Sequence, residues 1–135
     1  MRTVIQRVQH ASVAIDGAVR SEIRKGLLIL VGFEDSDTDK EIVRMAKKIV
    51  NMRIFDDDKG VMNRSVLEIG GEILIVSQFT LYASTKKGES FVVYSCRETG
   101  YVPRLMQLLA RHPTDRATFM DRGCRFLMPI RSESR

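Results

Sequence analysis

Gly70-Gly71-Glu72-Ile73-Leu74-Ile75-Val76-Ser77-Gln78-Phe79-Thr80-Leu81-Tyr82-Ala83 is the stretch on which the reading of this chain turns. The glycine pair marks a turn, because glycine reaches positive φ at little steric cost. The four aliphatics at 73–76 form a short continuous apolar run, the pattern of a strand covered on both faces. Ser77, Gln78 and Thr80 follow directly, three hydrogen-bonding side chains with Phe79 between them. A buried strand ending in small polar groups is one way to set a pocket floor on a rigid element. The same residues also read as ordinary strand positions, with Thr80 chosen for β-branching and Phe79 for the core. Spacing leaves both readings open.

Outward from this stretch, 135 residues suit one domain with a real core. A hydrophobic fraction of 44% and a charged fraction of 29% match a globular protein. No apolar run approaches the roughly 18 residues of a membrane span, so no membrane partner is expected. The opening Met1-Arg2-Thr3-Val4-Ile5-Gln6-Arg7 reads as a strand and lacks the apolar segment of a signal peptide. Cys96 and Cys124 are scattered thiols without metal-ligand spacing, which points to neither a disulfide frame nor a zinc site. The cytoplasm is the expected compartment. The net charge of +5 suits an anionic partner such as RNA, and equally a solvated basic surface.

Residues 3–8 and 11–15 are β-rich. Ala11, Val13 and Ile15 alternate with Ser12 and Ala14, which suggests one buried face. Asp16-Gly17 signals a hairpin, with a return strand near 18–23. Gly26 breaks the chain before Leu27-Leu28-Ile29-Leu30-Val31-Gly32, a second candidate for a doubly buried strand. Thr38-Asp39-Lys40-Glu41 fits a capping box. The spacing then predicts a helix over 39–51, with Ile42, Met45, Ala46, Ile49 and Val50 on one stripe and Lys40, Arg44, Lys47 and Lys48 mostly off it. Those basic residues read first as a solvated face and second as an RNA contact. Arg53-Ile54-Phe55 resumes a strand, and residues 56–60 (Asp-Asp-Asp-Lys-Gly) form an acidic turn without calcium-loop spacing.

Several ordered blocks resemble the D-aminoacyl-tRNA deacylase family. They are residues 1–8 with Ala11-Ser12-Val13, residues 26–32, Lys48-Ile49-Val50-Asn51-Met52-Arg53-Ile54-Phe55, Met62-Asn63-Arg64-Ser65, and 71–82 with Lys86-Lys87-Gly88. The resemblance covers residues 1–88. It implies an α/β fold, a compact β-barrel-like domain with flanking helices, working as a homodimer without metal or cofactor. It implies a hydrolase that cleaves the ester joining a D-amino acid, or glycine, to the 3′ end of tRNA, a form of chiral proofreading.

Ser77-Gln78-Phe79-Thr80 then corresponds to the family's Ser-Gln-x-Thr signature, which lines the pocket. An ester carbonyl becomes an oxyanion on attack, and backbone N–H groups around Phe79 and Thr80 are the implied stabilisers. Thr80 as a nucleophile would need an activating base, and the two histidines, His10 and His112, lie far off in sequence. The resemblance therefore implies a positioning role for Thr80, with water attacking and the terminal ribose hydroxyl assisting. Arg7 is expected at the pocket edge or on a phosphate, and reads equally as a surface strand arginine.

The resemblance breaks after Gly88. The family's second signature, Asn-x-Gly-Pro-x-Thr, excludes L-amino acids, and no Gly-Pro occurs in this chain. Residues 1–88 hold seven lysines and seven arginines, whereas 89–135 hold eight arginines and no lysine. Back-translating 89–100 and dropping one base permits Asn-Arg-Ser-Ser-Tyr-Ile-Arg-Ala-Ala-Lys-Pro, which resembles the family's continuation. This predicts a single-base frame change near Gly88, which sequencing the gene across codons 85–100 would test. The rival reading is a genuine new tail: Leu105, Leu108 and Leu109 keep helical spacing, while 115–135 shows no clear period. The chain is read as one domain over 1–135, with 89–135 an atypical tail.

Overall fold

A computed structural model describes residues 1–34, 36–78, 81, 83–84, 92–93, 104–105 and 117–120. The chain opens with β1 (Arg2–Val8), then β2 (Ala11–Ile15) and β3 (Ala18–Ile23). The last two form the expected hairpin. Asp16 (φ 51°) and Gly17 (φ 77°) turn it with two consecutive positive φ values, which suits the right-handed twist of the flanking strands. The alternation expected in β2 is only partly realised: Ala11 and Val13 are half-buried, but Ile15 is 41% exposed. A register shift between Val13 and Ala14 breaks the strict period of two before Ile15 is reached.

The two continuous apolar runs become the centre of the molecule. β4 (Gly26–Gly32) and β7 (Glu72–Ser77) are hydrogen-bonded in parallel, Leu27 opposite Ile73 and Val31 opposite Ser77. A parallel pair needs a crossover, and α1 (Asp39–Asn51) belongs to it. β1 flanks β4 antiparallel and β10 (Ala117–Met120) flanks β7 in parallel, giving the order β1-β4-β7-β10. Between α1 and β7 lies the small ladder of β5 (Phe55–Asp56) and β6 (Met62–Arg64). β8 (Ala83–Ser84) pairs with β9 (Val92–Val93). The described strands thus form four separate sheets, a mixed α/β arrangement, with no closed barrel among the described residues.

One face of the large sheet carries Leu27, Ile29, Val31, Ile73 and Ile75, and meets Ile42, Ala46, Ile49 and Val50 of α1. Phe33, Phe55, Val66 and Leu105 complete this core. Each fully buried aliphatic contributes roughly 1.5–3 kcal/mol, so α1 is held by its apolar stripe more than by helix propensity. The opposite face carries Leu74, and there β3 lies against β7 and β10, burying Ile23. The helix spans the expected 39–51. Its N-terminus has the capping box, with the Thr38 N–H donating to Glu41 Oε2 at 2.9 Å.

Gly26 is required by close approach. A Cβ there would meet the carbonyl oxygen of Glu72 at 1.8 Å. At the other end of the crossover, the Met1 ammonium donates to Asp37 Oδ1 at 2.5 Å, and the Glu34 N–H donates to Asp37 Oδ2 at 2.8 Å. The start of β1 is thereby tied to the loop that leads into α1.

Candidate functional site

Parallel pairing puts the C-terminal ends of β4 and β7 at one end of the sheet, and α1 starts from that same end. This is where open α/β sheets bind ligands, because the crossovers leave a crevice outside the strand ends. Ser77 closes β7 opposite Val31. Its side chain shares the helix-covered face with Ile73 and Ile75, by the alternation of the strand, and Ser77 is only 4% exposed. Gln78 follows as a half-buried residue whose N–H donates to the Val31 carbonyl at 2.8 Å, so the β4–β7 ladder reaches into the signature. The Leu81 N–H donates to the Gln78 carbonyl at 3.4 Å. Phe79 and Thr80 lie outside the described residues.

Arg2 shares this end of the sheet. It pairs with Gly32 across the β1–β4 ladder, and its Nη1 donates to the Leu81 carbonyl at 2.9 Å. The guanidinium therefore secures the chain just past the signature and places positive charge at the strand ends. Sequence reasoning missed Arg2, because nothing local connects residues 79 positions apart.

Arg7 stands elsewhere. Its register partner is Leu27, whereas Ser77 pairs with Val31, so about 13 Å of strand separates them at ~3.3 Å per residue. The Arg7 Nη1 donates to the Ile54 carbonyl at 2.8 Å and to Asp56 Oδ1 at 3.1 Å. The structure thus brings Ser77, Gln78 and Arg2 together and leaves Arg7 at the far end of the same sheet.

Within the acidic turn, Asp57 serves the turn's own backbone. Asp57 Oδ1 accepts from the N–H groups of Lys59 (2.8 Å) and Val61 (3.1 Å), and the Asn63 amide donates to Oδ2 at 3.4 Å. The Val61 N–H first, then the Lys59 N–H, hold the Asp57 carboxyl below the ordinary aspartate range. At the helix start the Thr38 hydroxyl, followed by backbone N–H groups, does the same for Glu41. Among the described residues, no three His, Cys, Asp or Glu side chains are grouped to hold a metal ion. No helix among them is long and apolar enough to cross a membrane. A cleft of about 400 Å³ lies on α1, and its described lining is Asp39, Lys40, Val43, Arg44 and Lys47.

A D-aminoacyl-tRNA deacylase of Parabacteroides distasonis is 72% identical over 88 residues, which cover 65% of this chain and 59% of that protein. One from Bacteroides thetaiotaomicron is 66% identical over the same lengths. The match therefore spans 59% of the length of these curated relatives. Among solved structures, a c-Myc DNA unwinding element binding protein superposes with a TM-score of 0.83 at 31% identity, covering 97% of this chain and 91% of that one. A probable eukaryotic D-amino acid tRNA deacylase shares the fold, with a TM-score of 0.72 at 15% identity over 96% of this chain and 93% of that one. The model of the D-Tyr-tRNA(Tyr) deacylase family matches residues 4–99, and this chain belongs to that family.

Proposed function

We propose that this chain hydrolyses the ester bond of D-aminoacyl-tRNA, releasing free D-amino acid and tRNA. Glycyl-tRNA mischarged on tRNA-Ala is a second substrate of the same chemistry. The observation that carries this is the continuity of the β4–β7 ladder into the signature, through the bond from the Gln78 N–H to the Val31 carbonyl. A pocket floor tied to the most buried strand of the fold keeps its backbone donors in place while charge develops on the substrate carbonyl.

In this reading Ser77 supports the strand end from its covered side, and Gln78 and Phe79 contact the substrate. The amides around Phe79 and Thr80 receive the oxyanion. Thr80 positions the ester for attack by water, with the terminal ribose hydroxyl assisting. Arg7, expected from the sequence at the pocket edge or on a phosphate, lies too far along the sheet for the first. It serves as a phosphate contact beyond the pocket, for which it must exchange Asp56 and the Ile54 carbonyl for the ligand. No metal or cofactor takes part. The working unit is a homodimer in the cytoplasm, with the sheet closing towards a barrel-like form.

The test is turnover of D-tyrosyl-tRNA beside the Thr80→Ala variant. A fall of roughly 10²-fold or more is expected, the scale of losing a placed polar group in a transition state. Unchanged turnover would remove Thr80 from the site. A second reading is favoured by the missing Gly-Pro: an impaired homologue that at most binds tRNA or self-associates. That reading predicts no turnover at all, whereas an active enzyme without Gly-Pro is expected to cleave L-tyrosyl-tRNA as well.

A further inference from the structure

We propose that the outer face of α1 is a docking surface for the phosphate backbone of tRNA, separate from the ester-cleaving pocket; this rests on the hydrolase reading above. Lys40, Arg44 and Lys47 recur at helical spacing along one stripe, all three are exposed, and their aliphatic stems line an open depression on the helix with Asp39 and Val43. Among the described residues none of the three has a carboxylate within ion-pair distance. Cations elsewhere do: Arg7 pairs with Asp56 and Arg64 with Asp58, each at 3.1 Å. Glu41 draws on the field of Arg44 without forming an ion pair with it, and three exposed cations on one rigid element still produce a local positive potential that a polyanion can collect by releasing its counterions.

Position favours tRNA over other anions. α1 begins at the end of the sheet where Ser77 and Gln78 lie and runs away from it. At 1.5 Å rise per residue, Lys40 and Lys47 are about 10 Å apart along the axis. An acceptor strand entering the strand ends by its 3′ terminus can therefore continue along the helix, placing successive phosphates on the stripe. Asp39, the one carboxylate of the described lining, sits at the first turn and repels phosphate there, which sets the path towards Arg44 and Lys47. An anionic membrane fits less well, because surface binding also needs large apolar side chains to insert, and this face offers Val43 alone. Phosphate contacts of this kind position an RNA without reading its sequence.

The experiment measures the affinity of deacylated tRNA as a function of salt, for the wild type and for a Lys40→Glu, Arg44→Glu, Lys47→Glu variant. A Gln version of the same three changes avoids added repulsion, and thermal unfolding confirms that both variants fold. The expected result is a loss of roughly tenfold or more in affinity at low salt and a salt slope shallower by about 2, three contacts at ~0.7–0.9 each. Hydrolysis of a short ester, D-tyrosyl-adenosine, should stay unchanged. A control with Arg20, Lys25 and Lys59 changed to Glu carries the same net charge and should bind as the wild type does. Unchanged affinity and slope in the stripe variants overturn the proposal, as does an equal loss in the control or no tRNA binding by the wild type. Loss confined to phosphatidylserine vesicles transfers the surface to a membrane. If the stripe governs tRNA binding but neither D-tyrosyl-tRNA nor the short ester is cleaved, the docking surface stands and the hydrolase reading falls.

Discussion

Replacing Asp37 by Asn should destabilise the protein by about 3 kcal/mol. The Asp37 side chain is 4% exposed and Met1 as a residue is half-buried, with 2.5 Å between the ammonium nitrogen and Oδ1. Removing one partner of a fully buried pair costs roughly 3–5 kcal/mol, and here the half-buried ammonium keeps part of its water. Two details favour the lower end. Glu34 Oε1 lies 3.9 Å from the same ammonium and is 44% exposed, so some compensation remains. Asn also keeps an oxygen that can accept from the Glu34 N–H, a bond that Asp37→Ala would lose for about 1 kcal/mol more. Urea unfolding gives the free energies, and a thermal scan should show a fall of about 10 °C. Acetylating the Met1 amine should cost a similar amount alone and little in the Asp37→Asn background, because both remove one interaction. A loss under about 1 kcal/mol, or additive losses, would refute the reasoning.

Gly26→Ala should cost about 3 kcal/mol or abolish folding, since its Cβ would meet backbone oxygen and not a movable side chain; denaturant midpoints decide this, and an unchanged midpoint contradicts the close approach. Acid should act through Glu41 and Asp57, whose carboxyls release their protons more readily in the folded chain. Their contribution is whole above the ordinary carboxylate range, roughly pH 4, and is lost as pH falls through the lower folded values. Glu41→Gln should therefore be less stable than the wild type at neutral pH and equal to it in strong acid. A gap that stays constant with pH would sink that account.

The sequence was most legible where one physical signal dominated. The two aliphatic runs read as candidate strands covered on both faces, and they became the parallel pair β4–β7, with Leu28, Leu30 and Val76 half-buried on the second face. The helix was bounded at its start by a capping box that needs only Thr38 and Glu41. Asp16-Gly17 specified its hairpin because few residues tolerate consecutive positive φ. Long-range pairing was far less visible. Nothing around Arg2 announces Leu81, and nothing around Met1 announces Asp37. Ser65-Val66-Leu67-Glu68 did carry an available signal, the Ser-x-x-Glu pattern. In the structure the Ser65 N–H donates to Glu68 Oε2 at 2.6 Å and the Glu68 N–H to Ser65 Oγ at 3.3 Å. Residues 115–135 lacked a period, yet Ala117–Met120 forms a strand, because backbone pairing with β7 does not require alternation in its sequence. At the candidate site the polar types were legible and their geometry was not. Burial of Ser77 and the separation of Arg7 from it are consequences of register, which no single strand encodes.

The parallel pairing of β10 with β7, Ala117 beside Ile73, has a consequence for the order of events during synthesis. The β1–β4 pair, α1 and β7 can assemble once residue 77 has left the ribosome. The free edge of β7 must then wait for a segment made seconds later, at the ~5–20 residues per second of translation. Closing so long a loop slows folding, and an aliphatic edge left open in that interval can recruit a strand from another chain. The yield of native protein should thus depend on how fast the last third of the chain is made and how crowded the nascent chains are, even when the finished fold is stable.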